Sequence, residues 1–123
     1  MNLTKNFTED EFKCPCCGKC EMDSAFMDKL QRFRDELGVA FSPVKGGGYR
    51  CKEYLKGSKS AHGEGKACDP DFSRDLYHRA LGIAFKLRFK GIGLKQKGGK
   101  FQMHLDDARN ISGARPRPWV WTY

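Results

Sequence analysis

From Lys45 to Gly65 the chain is polar, and it shows neither the period of a helix nor the alternation of a strand. A chain of 123 residues must build its core from the segments on either side, which makes this stretch a long loop. Loops of that length within compact domains are usually functional. Gly46-Gly47-Gly48 at its head reads as a turn or a close backbone approach.

The flanking segments carry the periodicity. Thr8 and Glu11 have capping-box spacing, so a helical turn is expected near Thr8. Ser24 is placed to cap a helix reaching Leu37, with Phe26, Leu30, Phe33 and Leu37 on one face and Gly38 as its stop. After the loop, Ser73 is expected to cap a second helix with Leu76, Ala80, Ile83, Ala84 and Leu87 inward. Segments 39–44, 67–72, 92–94, 101–106 and 119–122 read as short strands, and 95–100 as a hairpin turn. The expected fold is α+β, a small antiparallel sheet with flanking helices in a single domain over 1–123. A Cys-rich segment, 1–22, packs on it.

No apolar run approaches the length of a membrane helix, so no membrane span is expected. The N-terminal MNLTKNFTEDEF lacks the apolar stretch of a secretory signal, which implies synthesis in the cytoplasm. Lys and Arg number 23 against 15 Asp and Glu, and the net charge of +8 suits an anionic partner. Nucleic acid and cell-wall polymer both qualify. The basic residues are spread along the chain with no recognition motif, which argues against nucleic acid.

Cys14, Cys16, Cys17 and Cys20 lie close together, while Cys51 and Cys68 stand alone. Cys14-x-x-Cys17 and Cys17-x-x-Cys20 have zinc-knuckle spacing, so a structural zinc at Cys14, Cys17 and Cys20 is one reading. Disulfides and free thiols are the others, and the fold can bring Cys51 to the cluster.

Of the three histidines, His78 lies on the expected second helix outside any motif. His62 ends the long loop, Asp69 opens a strand, and His104 lies within another. Two imidazoles and a carboxylate with a fourth position for water form a catalytic zinc set, although residue type alone is not specific. The residues around them are. Gly48-Tyr49-Arg50, Ser60-x-His62-x-x-Gly65-x-Ala67-x-Asp69, Gly91-x-Gly93 and His104-x-Asp106 resemble the zinc D-alanyl-D-alanine carboxypeptidase family. That family includes bacteriophage endolysin peptidases and shares its zinc site with the hedgehog signalling domain. The opening Phe7-Thr-Glu-Asp-Glu-Phe12-x-Cys14-x-Cys16-Cys17-Gly18 and the closing Arg117-Pro118-Trp119-Val120 with Tyr123 are similar to phage members, so the likeness spans nearly the whole chain.

The resemblance implies a zinc metallopeptidase, a hydrolase cutting peptidoglycan stem peptides as a monomer once released to the cell wall. It makes His62, Asp69 and His104 the zinc ligands and Arg50 the group gripping a substrate carboxylate or polarised carbonyl. Tyr49 and Ser60 are implied substrate-side residues, with Ser60 bracing the loop. Several relatives carry an acid three positions before the second histidine ligand, where this chain has Phe101. Asp106 shares a strand face with His104, and is read either as the proton shuttle or as a group orienting a ligand or a neighbouring arginine. Glu64 and Asp107 are lesser candidates. The short 50–60 stretch and the Gly-Gly-Gly-Tyr-Arg run are further departures. A zinc-containing, non-catalytic wall-binding module on the same fold is the alternative. The aromatic tail from Trp119 to Tyr123 reads as a packed terminal strand or a stacking surface.

Overall fold

The Thr8 N–H donates to the Glu11 carboxylate at 2.8 Å, closing the turn Glu9–Phe12 (α1) as the capping-box spacing anticipates. The computed structural model describes residues 1–99 and 101–123. The helix Ser24–Leu37 (α2) buries Phe26, Leu30, Phe33 and Leu37, and it ends on Gly38 in the left-handed conformation. Its cap is Asp23 rather than Ser24. The Asp23 carboxylate accepts the Phe26 N–H at 2.9 Å, which also puts a negative charge at the helix N-terminus.

The expected strand over 39–44 shortens to Ser42–Pro43 (β1), since Pro43 offers no N–H to a ladder. The 45–65 stretch holds the single turn Lys52–Leu55 (α3) and a 3-10 turn, Ala61–Glu64, capped by the Ser60 hydroxyl. The strand expected over 67–72 divides into Ala67–Cys68 (β2) and Pro70–Asp71 (β3), which belong to different sheets. At Asp69 the backbone changes partner. Its N–H donates to Gly47 and its carbonyl accepts from Val44, while Pro70 cannot extend the first ladder.

The second helix starts later than expected. Ser73 precedes a 3-10 turn, Arg74–Leu76, with its hydroxyl turned to the Asp75 carboxylate, and the α-helix proper is Tyr77–Lys86 (α4). Ala80, Ala84 and Leu87 are buried, and Ile83 and Leu81 pack on the core from the edge. Gly91–Lys95 (β4), Gln102–Asp106 (β5) and Trp119–Thr122 (β6) complete the chain. The turn expected between β4 and β5 contains a 3-10 stretch, Lys97–Gly99, and its last residue, Lys100, lies outside the described residues.

The fold is α+β, with two small sheets: β1 pairs with β3, and four strands run in the order β2-β5-β4-β6. The larger sheet is mixed rather than antiparallel. The 107–118 loop carries the chain past β4, so β6 enters parallel to it, with Gly91 opposite Trp119 and Gly93 opposite Trp121. One face of this sheet packs on α2 and α4 through Ile92, Met103 and Leu105. The N-terminal segment joins the same core, with Phe7 and Phe12 fully buried. Beyond Phe12 it lies so close to Gly48 that any β-carbon there would collide with the Phe12 backbone. The Tyr49 N–H donates to the Phe12 carbonyl at 2.9 Å, so the N-terminal segment braces the loop carrying Arg50.

Candidate metal centre

Three elements converge around the middle of β5. The 3-10 turn presents His62, the break between β2 and β3 presents Asp69, and β5 presents His104. All three side chains are buried, and their donor atoms lie within 4.8 Å of one another. His62 Nε2 is 3.3 Å, and His104 Nδ1 2.9 Å, from the same Asp69 oxygen, Oδ1. Donors about 2.1 Å from one tetrahedral ion lie about 3.4 Å apart, so the group has the dimensions of a three-ligand metal site.

Hydrogen bonds on the far side of each ring fix its chemistry. His62 Nδ1 meets the Gly48 carbonyl at 2.8 Å, and a carbonyl only accepts, so Nδ1 carries the proton and Nε2 offers a lone pair inward. Burial lowers the His62 pKa and outweighs its contacts with Asp69, which keeps the ring neutral. His104 Nε2 meets Asp106 at 2.6 Å. With Asp69 on Nδ1 as well, carboxylates on both nitrogens outweigh burial and raise the His104 pKa. That makes the space between His104 Nδ1 and Asp69 a cation position, filled by a proton or by a metal. For Asp69, burial raises the pKa, but the hydrogen bonds from His104 and His62 win and hold it well below the usual carboxylate range.

Arg50 completes the rim. Its Nε donates to the Gly46 carbonyl at 2.6 Å and its Nη2 to Asp69 Oδ2 at 3.3 Å, leaving Oδ1 to face the histidines. The cleft, about 340 Å³, is also lined by Ser60, Lys95, Gln102, Trp121 and Tyr123. Ser60 accepts the His62 N–H at 3.2 Å, the bracing contact expected of it. Tyr123 keeps its phenolic proton, its pKa pushed up to about 12 by burial and the Asp69 charge.

Tyr49 does not join this group. Adjacent residues of an extended chain point to opposite sides, so Arg50 faces the cleft while Tyr49 lines a separate groove with Glu21 and Cys51. His78 is exposed on α4, away from the site. Of the other acids, Glu64 is held by Arg115 and the Arg109 N–H, and Asp107 by Lys29 at 2.7 Å and the Lys90 N–H. Phe101 is partly exposed, with the Arg74 guanidinium 4.8 Å from its ring centre.

Asp106 has no exposed surface. Arg117 grips both its oxygens, at 2.8 and 2.7 Å, and the Ala108 N–H adds a bond at 3.1 Å. Burial works to raise its pKa, but His104 and Arg117 reverse this and hold it well below the usual carboxylate range. Arg117 is the residue whose role sequence reasoning missed. The available signal was the need of a buried carboxylate for a counter-charge, which cannot select one cation among 23. Trp121 lies 5.3 Å from the His104 ring, centre to centre, and 5.2 Å from Trp119, with Arg117 over its face, so the tail both packs and lines the cleft. Comparisons with protein-family models, with curated proteins and with solved structures find no match to this chain.

Proposed function

We propose that this chain is a zinc-dependent peptidase of the hedgehog and D-alanyl-D-alanine carboxypeptidase type, hydrolysing an amide in peptidoglycan stem peptides. The carrying observation is the donor set: neutral His62 Nε2, His104 Nδ1 and Asp69 Oδ1 lie within 4.8 Å of one another, each residue held from behind by a further hydrogen bond. Nitrogen and carboxylate oxygen donors in this number suit zinc with a position left for solvent. Bound there, zinc supplies Lewis-acid polarisation of a carbonyl and a water of lowered pKa.

The protein's own groups supply the rest. Arg50 stands at the cleft edge, where its guanidinium pairs with a stem-peptide carboxylate. Tyr123, protonated at neutral pH, donates a hydrogen bond from the sheet side, and Gln102 offers an amide. Asp106 is better placed to position His104 than to carry a proton, because its oxygens are already engaged by Arg117, Ala108 and His104. Action at the wall fits the +8 charge and the resemblance to phage endolysins.

One observation favours the alternative, a wall-binding module without turnover. Among the described residues lining the cleft, Asp69 is the sole carboxylate, and Phe101 occupies the position where relatives carry an acid. Both readings meet one assay. Zinc-loaded protein incubated with purified sacculi should release free amino groups, and EDTA or His62→Ala should abolish the release. Activity surviving both treatments would remove the metallopeptidase reading. Tight sacculus binding with no amino-group release from any wall type would establish the binding module.

A further inference from the structure

The cysteines carry a second site, independent of the cleft. We propose that Cys14, Cys17 and Cys51 together hold a structural metal ion of zinc-like softness, clasping the N-terminal segment to the loop that bears Arg50. Their sulfurs lie within 4.8 Å of one another. Thiolates about 2.3 Å from one tetrahedral ion are about 3.8 Å apart, so the spacing matches a shared metal. The grouping corrects the expectation from spacing. Cys20 lies apart, packed at the edge of the main core, and Cys51 takes its place from across the fold.

A local turn and one hydrogen bond across the fold bring the sulfurs of Cys14 and Cys51 together. In the Cys14-Pro15-Cys16-Cys17-Gly18 turn, the Gly18 N–H returns to the Cys14 carbonyl at 2.9 Å, with Gly18 in the left-handed region. Across the fold, the Cys51 N–H donates to the Cys14 sulfur at 3.3 Å. Three sulfurs at this distance cannot all ionise without a cation among them, and a divalent ion answers that repulsion. Cys17 and Cys51 also line a groove together with Cys16 and Glu53.

Cys51 directly follows Arg50, and the Tyr49 N–H is already bonded to Phe12. An ion joining Cys51 to Cys14 and Cys17 therefore fixes both ends of the segment that aims Arg50 into the cleft. The site stands whether or not the cleft hydrolyses anything.

The test removes the cleft metal first. Full-length protein carrying His62→Ala and His104→Ala is purified under reducing conditions without chelator, and its metal is counted by mass spectrometry. One equivalent of zinc is expected to remain, and an organomercurial should release it. Exchange for cobalt(II) should give a thiolate-to-metal charge-transfer band. Adding Cys51→Ser should abolish the band, and adding Cys20→Ser should leave it intact. A metal-free double-histidine protein, a cobalt spectrum without the sulfur band, a band lost equally with Cys20→Ser, or a Cys14–Cys51 disulfide in the reduced preparation would each overturn the proposal. The mercurial and cobalt readings need no cysteine variant, so a Cys51→Ser protein that fails to fold leaves them decisive.

Discussion

At the scale of single residues, the site depends on one fully buried charge. Asp106 sits opposite Gly91 on β4, and a β-carbon at Gly91 would fall on both carboxylate oxygens. Gly93, opposite His104 and Trp121, leaves the room in which those two rings meet. The Gly91-x-Gly93 motif is thus a recess for the side chains of β5 and β6. Within it Asp106 is balanced by Arg117, whose side chain is 6% exposed. Breaking such a pair leaves an uncompensated charge, whereas replacing both partners with apolar groups is far less costly. Arg117→Ala is therefore expected to lower stability by about 3–5 kcal/mol. The double variant Asp106→Leu/Arg117→Met should recover most of the loss. Urea unfolding of the metal-free proteins measures both, and equal losses in the two variants would show that the pair is not what stabilises this corner. Arg117→Lys should fall between, since lysine keeps the charge but not the two-pronged grip.

At the scale of elements, local signals were legible where one period or one cap decided the outcome. The α2 face needed only the spacing of Phe26, Leu30, Phe33 and Leu37, and β6 was marked by its alternating aromatic run. The grouping of His62, Asp69 and His104 was legible from those residues and their small neighbours, and the structure brings the three together. What stayed hidden depended on partners remote in the chain. Asp69 faces the histidines because its backbone leaves one sheet for another, and nothing in segment 67–72 marks that change except Pro70. The parallel entry of β6 follows from the path of the 107–118 loop, which carries no period. Cys51 meets Cys14 only because α1 and Gly48 touch. Caps shifted by one residue where two good candidates were adjacent: Asp23 prevailed over Ser24 because its longer side chain, one position earlier, reaches the Phe26 N–H. Asp23→Ala is accordingly expected to cost about 1 kcal/mol, while Ser24→Ala changes stability by only a few tenths. A thermal scan comparing the two variants checks the assignment, and the reverse order would return the cap to Ser24.

At the scale of the whole molecule, some cations are neutralised in pairs, and the surplus of +8 is carried by the others. Arg50, Arg115 and Arg117 are paired with Asp69, Glu64 and Asp106. Lys45, Lys52, Lys56 and Lys59 are instead exposed along the loop that carries Arg50 and Ser60, with Glu53 the sole acid between Lys45 and Ser60. On the proposed reading, this lysine-bearing loop attracts polyanion at long range, while hydrolysis would take place among the buried groups of the cleft. The two should therefore separate by ionic strength. Screening shrinks the reach of exposed charges from about 10 Å at 0.1 M salt to about 3 Å at 1 M, and affects buried contacts much less. Retention on sacculi, measured by pelleting, is expected to fall steeply across that range. Hydrolysis of a short soluble stem peptide, followed by amino-group release, should change little. Replacing Lys45, Lys56 and Lys59 together by Gln should weaken retention at low salt and flatten its salt dependence, with Lys86→Gln on the opposite helix as the neutral control. If the triple variant keeps the steep dependence of the parent chain, wall attraction resides elsewhere on the surface and the loop lysines are solvated bystanders.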